Sequence, residues 1–214
     1  MGRAEEIAAA GEWARGALED KHRARETGLA ACRRTIQACA ASIRAVHREE
    51  WEVAENLGRQ AAAHLSEASH ALAAHPDVRY AGFVHDAAKE YAEARLTLAF
   101  VRGDPLPQAP ELGVEVQAFL NGMAEAASEL RRYLLDQLRR GKPERGEELL
   151  GLMQEVYTLL VTMDFPEAMT GHLRRTTDAL RAVLERTRGD LTTSLLQTRL
   201  LEAIEDRQSG QSGG

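Results

Sequence analysis

Between residues 29 and 46 the apolar side chains fall at Leu29, Cys32, Ile36, Cys39, Ile43 and Val46, in alternating steps of three and four. That spacing gathers all six on one stripe of an α-helix, whereas a strand would scatter them over both faces. A stripe this long has to be covered by other helices, as in a packed bundle. Composition extends the constraint to the rest of the chain. Ala, Leu, Glu and Arg, all strong helix formers, dominate. Only six prolines interrupt 214 residues, and aromatics make up 5%. The expectation is an all-α chain with one helical domain over residues 1–206, long enough to bury a substantial core. A disordered tail is expected over 207–214, where Ser and Gly take over.

Seven helices are expected. The first fifty residues read as one long helix with Gly16 and Gly28 as candidate bends. The second covers about 51–72 and ends at His75-Pro76-Asp77. The third, about 77–102, has Phe83, Ala87, Tyr91, Ala94 and Leu98 on its apolar face. The segment from Gly103 to Pro110 is a loop. The fourth, about 112–140, carries Val116, Leu120, Met123, Ala127, Leu130, Leu134 and Leu138. Pro143 begins the fifth. Asp164, with Glu167 three residues on, reads as the cap of a sixth helix running to 188. Gly189-Asp190 then ends that helix and caps the seventh, 190–205.

Charge is unevenly placed. The net charge is −6, with a pI near 5.7, which argues against a chain that binds nucleic acid over its whole surface. Yet from Lys21 to Arg48 seven Lys and Arg face a single acid, Glu26. From Ala81 to Leu130 eight acids face three bases, Lys89, Arg95 and Arg102. A polyanion-facing surface beside an acidic site fits that separation. Asp86, Glu90 and Glu93 share a helix face, as do Glu125 and Glu129, and like charges so spaced repel. Glu125 and Glu129 point away from the apolar seam of their helix, which by itself means solvent. The small residues Ala118, Gly122 and Ala126 flank them, however, and let a second helix come close.

Other chemistries find less support. Cys32 and Cys39 are two helical turns apart, roughly 10 Å, too far for a disulfide, and read as reduced core residues. The Cys and His spacings for zinc, the glycine loop for phosphate and the nucleophile elbow do not occur. Glu19-Asp-Lys-His22 and Glu67-Ala-Ser-His70 carry the tetrad of a ferritin-like di-metal bundle, but on the wrong helices in the wrong order. His64, His70, His75 and His85 read as surface histidines. No apolar run spans a membrane and no signal pattern is present, so the expected location is the cytoplasm, with no membrane partner.

Four segments together resemble the translin superfamily. They are Ser42-Ile-Arg-Ala-Val-His-Arg48 with Glu49 and Glu50, Glu90-Tyr-Ala-Glu-Ala94, Gly122-Met-Ala-Glu-Ala-Ala-Ser-Glu-Leu-Arg-Arg132, and Met163 to Asp178 with Glu185 to Leu191. The second is similar to the Glu-Tyr-Val-Glu-Ala motif of the translin-associated factor X branch. The third is similar to that branch's Gly-Val-Ala-Asp-Leu-Thr-Gly-Glu-Leu-Met-Arg. The resemblance spans about 21 to 205 and implies a seven-helix bundle assembling into a closed oligomeric shell, a homo-oligomer of hexamer to octamer size. It also implies a metal-dependent endoribonuclease acting on single-stranded RNA, with binding of single-stranded DNA as well. By motif, Glu90, Glu93 and Glu125 become catalytic residues and ligands of Mg²⁺ or Mn²⁺, with Glu129 as fourth ligand or neighbouring base. Glu125 stands where the family has Asp, one methylene longer. The basic excess of the first helix assigns nucleic-acid binding to Arg33, Arg44, His47 and Arg48. The alternative is a non-catalytic member that binds single-stranded RNA or DNA without cleaving it.

Overall fold

The computed structural model describes residues 2–211. Among them are nine helices and no strand: α1 (Arg3–His47), α2 (Trp51–Ala71), α3 (Pro76–Arg79), α4 (Gly82–Arg102), α5 (Ala109–Leu112), α6 (Val116–Arg139), α7 (Pro143–Val161), α8 (Glu167–Thr170) and α9 (Leu173–Gln211). The all-α expectation holds, and the count of seven is corrected to nine. Three of the nine are single turns of four residues, α3, α5 and α8. Tyr80 and Ala81 separate α3 from α4, and Gly113, at φ +65°, closes α5 before α6 begins.

The expected break at Gly189-Asp190 does not occur. α9 runs through it for 39 residues. A helical glycine costs only about 0.5–1 kcal/mol, less than the packing on either side supplies. Leu184 and Leu191 are buried there, and the Arg131 guanidinium reaches Thr187 Oγ1 and, at 2.7 Å, Asp190. Asp190 is thus an ion-pair partner of α6 and not a cap. Nor does Asp164 cap a helix. The cap of α8 is Pro166, and the Glu167 carboxylate meets His172 Nδ1 instead. The tail expected over 207–214 is helical as far as Gln211, because extending an existing helix needs only one hydrogen bond per residue. Residues 212–214 lie outside those described.

α6 is the centre of the bundle, with α4 against one side and α7 and α9 against the other. One apolar cluster joins α4, α6, α7 and α9, and a second joins α1, α2 and α4. Most of the stripe on α1 lies in the second, with Cys32, Cys39 and Ile43 buried there and both thiols free, while Val46 at its end is buried in the first. Gly28 does not break α1. A Cβ there would lie 2.8 Å from Leu72 Cδ1, so the glycine admits the end of α2. Residues 3–27 of α1 are largely exposed and project from the bundle. No helix among the described residues is long and apolar enough to cross a membrane.

The contact that matters most for function is that of α4 with α6. A Cβ on Gly122 would lie 2.7 Å from the Lys89 carbonyl oxygen, 2.8 Å from Ala92 Cβ and 2.9 Å from the Glu93 amide nitrogen. The two backbones therefore touch, and only glycine fits between them. Ala118 and Ala126, one turn either way, are fully buried. The second helix that this small-residue seam was expected to admit is α4 of the same chain.

The fold carries a paired prediction. Gly122→Ala should destabilise the protein by about 1–3 kcal/mol, because backbone atoms must move apart. Gly189→Ala meets open space and should stabilise by about 0.5–1 kcal/mol through helix propensity. Urea unfolding of the two variants checks the opposite signs.

Candidate functional site

Because α4 and α6 touch at Gly122, the carboxylates one turn away on each helix meet. Glu90, Glu93 and Glu125 each offer an oxygen, and these all lie within 4.8 Å of one another. Glu93 is 8% exposed, and no hydrogen bond reaches its carboxylate among the described residues. Burial, together with the charges of Glu125, Glu90 and Glu129, pushes its pKa up to about 9. Burial also raises Glu90, with Glu125 adding to it and Lys89 opposing it. The cluster holds more negative charge than its surroundings compensate.

One compensating group is Lys89, whose ammonium lies 2.8 and 2.7 Å from the two carboxylate oxygens of Glu125 and 3.5 Å from Glu90. Burial alone would lower its pKa, but Glu125 outweighs that and raises it. The sequence reading counted Lys89 only as a base in an acidic stretch. The available signal was its spacing, four residues before Glu93 and so on the same face.

The donor set suits a hard divalent cation. Mg²⁺ takes oxygen ligands at 2.0–2.1 Å, so two oxygens on one ion lie at most about 4.2 Å apart. The observed spread needs a closure of about half an ångström, or a bridging water. A dication would also offset the burial and the neighbouring negative charge that raise the pKa of Glu93. The residues fit the group.

Glu129, expected as a fourth ligand, is not among the three that converge. Its Oε2 lies 2.7 Å from His47 Nε2. His47 was expected to face nucleic acid with the arginines, but it is 5% exposed. It sits on α1's inner flank, between the acidic cluster and a neighbouring cleft. Its Nδ1 is buried without a partner. Asp86, on the same face as Glu90 in sequence, is exposed.

That cleft, about 670 Å³, is lined by Arg44, Arg48, Arg132, Arg139 and Arg140, with His47, Glu50 and Asp136. Arg48 pairs with Glu50, Arg139 with Asp136 and Arg140 with Glu49. Arg44 and Arg132 make no ion pair or hydrogen bond among the described residues. Arg33 is exposed too, but eleven residues earlier on α1, about 16 Å along the axis, and it does not line the cleft. The arginines at the end of α6 were missed because their approach to α1 is tertiary. The readable trace was the basic residues that follow the acidic ones in 125–140.

One strained residue holds the cleft together. Glu49 has φ +61°, a conformation that costs a non-glycine residue about 1–3 kcal/mol. Its carboxylate accepts hydrogen bonds from Tyr133 Oη at 3.2 Å, Gln137 Nε2 at 3.0 Å and the Arg140 guanidinium. Burial pushes its pKa up, but Gln137 and Arg140 outweigh that and hold it below the ordinary range. These bonds tie the end of α1 to the end of α6. Of the rival tetrads, Glu19, His22, Glu67 and His70 are exposed, and Glu67 pairs with Arg34.

Comparison with known proteins adds an independent line. No family sequence model matches the chain. A structure of AfC3PO in complex with duplex RNA superposes with a TM-score of 0.80 at 30% identity, over 87% of this chain and 96% of that one. AfC3PO alone gives 0.80 at 30% identity, over 87% and 97%. Apo-NeC3PO gives 0.77 at 15% identity, over 91% and 98%, a likeness of fold. A protein of Methanocaldococcus jannaschii without assigned function is 26% identical over 206 residues, 91% of this chain and 87% of that protein.

The raised pKa of Glu93 sets a pH prediction. From about pH 4.5 to about pH 9 the unfolded chain gives up this proton while the folded chain keeps it. Each rise in pH within that window therefore favours the unfolded state. In chelator, Glu93→Gln should gain thermal stability over wild type as pH rises from 5 to 8.5. A pH-independent difference in melting temperature would contradict the assignment.

Proposed function

We propose that this chain, which belongs to the translin superfamily, is an RNA-binding protein and a metal-dependent endoribonuclease of the cytoplasm, acting on single-stranded RNA. The observation that carries the reading is the meeting of Glu90, Glu93 and Glu125 beside an arginine-lined cleft with two unpaired guanidinia. Both halves of a nuclease site are thus in one place, acid for a cation and base for phosphate.

Glu90, Glu93 and Glu125 would hold Mg²⁺ or Mn²⁺. A dication bound there supplies Lewis-acid polarisation of a phosphoryl oxygen and a water or hydroxyl of lowered pKa. The chain's own residues do the rest. Arg44 and Arg132 are free to take backbone phosphates, which guanidinium forks suit. Arg48, Arg139 and Arg140, already paired, add positive potential to the same cleft. His47 fixes the Glu129 carboxylate, and the pair stands between cleft and cluster as a candidate proton-holding group. Glu49 keeps α1 and α6 in register so that the two halves face one strand.

We also infer a closed homo-oligomer. Trp13 and Leu18 on the projecting part of α1 are exposed, as are Leu196, Leu200 and Ile204 near the end of α9. Apolar rows left outside the bundle suit contacts with further copies, and closed symmetry is the usual outcome. A second reading, binding without cleavage, is favoured by one observation: Lys89 already neutralises Glu125.

The test is cleavage of a single-stranded RNA with and without EDTA, with a duplex of the same sequence alongside, since AfC3PO has been solved with duplex RNA. Glu90→Ala and Glu125→Ala should lower cleavage by about a hundredfold or more and leave binding intact. Glu125→Asp, restoring the family's residue, should keep activity. If wild type shows no metal-dependent cleavage and the aspartate restores none, binding alone is the function. Arg44→Ala with Arg132→Ala should weaken single-strand binding and make the log–log salt slope shallower by about 1.4. An unchanged slope would move the phosphate contacts elsewhere.

A further inference from the structure

The acidic cluster already has a counter-cation, and it is a side chain. The Lys89 ammonium straddles both oxygens of Glu125 at 2.7 and 2.8 Å and comes within 3.5 Å of Glu90. The lysine side chain is only 22% exposed, so this charge is held in the cluster and is not at large on the surface. Glu125 and Glu90 are two of the three carboxylates whose oxygens converge. The ammonium therefore draws on the same oxygens that a dication would use. A lysine carries three donors and no acceptor, and cannot itself ligate a metal while charged. Two cations sharing one set of oxygens repel each other strongly in a partly dry site. The four-carbon stem of lysine allows the charged end to move away while its root on α4 stays in place.

We propose that Lys89 is a competitor built into the metal centre: its ammonium takes the cation's place between Glu125 and Glu90 and must withdraw before a dication can be held, so that this residue sets the metal affinity of the site. The inference rests on the reading of Glu90, Glu93 and Glu125 as a metal centre. It makes Lys89 a residue that tunes affinity and not a catalytic one. A lysine in a purely structural ion pair would contribute to stability alone and leave metal affinity untouched.

Removing the charge while keeping an unbranched side chain separates the two. Mn²⁺ is titrated calorimetrically into wild type, Lys89→Met, Lys89→Arg and Glu125→Gln, and melting temperatures are taken in chelator and in Mn²⁺. Lys89→Met should bind Mn²⁺ about tenfold more tightly than wild type, in the range of coupling between contacting groups. Lys89→Arg, which keeps the charge, should not gain affinity. Glu125→Gln should lose it. In chelator Lys89→Met should melt below wild type, and Mn²⁺ should raise its melting temperature by the larger amount. If Lys89→Met does not fold, Lys89→Gln, whose amide can still donate to Glu125, carries the same test. Equal Mn²⁺ affinity in wild type and the neutral variants would overturn the role of Lys89 and leave the metal centre standing. Absence of Mn²⁺ binding in every variant would overturn both.

Discussion

The site depends on the absence of one side chain. At Gly122 the backbones of α4 and α6 are in contact, and nothing larger than hydrogen fits between them. That contact forces carboxylates from two helices into a shared space of less than 5 Å, in the partly buried middle of the bundle. Left alone, such a cluster is unfavourable, since like charges at short range in low dielectric repel strongly. The chain meets the strain with two devices, a raised pKa that favours the neutral form of Glu93 and an ammonium laid on Glu125. Both are replaceable by one dication. A metal centre of the kind proposed needs some such arrangement to be stable before its metal arrives, and residues 89 to 93 supply one.

The second half of the site is held by an opposite kind of interaction. Glu49 sits in a left-handed conformation that residues other than glycine avoid, and its carboxylate gathers three donors from the last turns of α6. The bonds offset the strain and fix how α1 meets α6. Arg44 and Arg48 from one helix and Arg132, Arg139 and Arg140 from the other then line one cleft. His47 and Glu129 join that cleft to the acidic cluster through a single hydrogen bond of 2.7 Å. Cleft and cluster are thereby coupled by geometry: whatever shifts the end of α6 shifts both.

Much of this was legible in sequence, for physical reasons that are easy to name. The three-four spacing from Leu29 to Val46 admits only a helix, and four of its six members, Cys32, Cys39, Ile43 and Val46, are buried, beside small and polar residues such as Ala31, Thr35 and Ser42 that the apolar pattern did not select. The meeting of Glu90, Glu93 and Glu125 could be anticipated because the small residues Ala118, Gly122 and Ala126 leave room for a neighbour on the face that bears Glu125. What failed had a different origin. Gly189 read as a terminator, but local propensity lost to packing on both sides. Glu129 and His47 were assigned separately to metal and RNA, because a contact between residues 82 positions apart leaves no local trace. Arg132 and Arg140 were passed over for the same reason. Lys89 was counted as charge and not placed, although its spacing to Glu93 already put it on the acidic face.

The central claim is that the three converging glutamates hold a divalent cation. The most direct measurement is an anomalous difference map from crystals equilibrated with Mn²⁺. The account predicts one strong peak per chain within bonding distance of Glu90, Glu93 and Glu125, with the Lys89 ammonium turned away from Glu125. A map without a peak there at saturating Mn²⁺, with Lys89 still on Glu125, would contradict it.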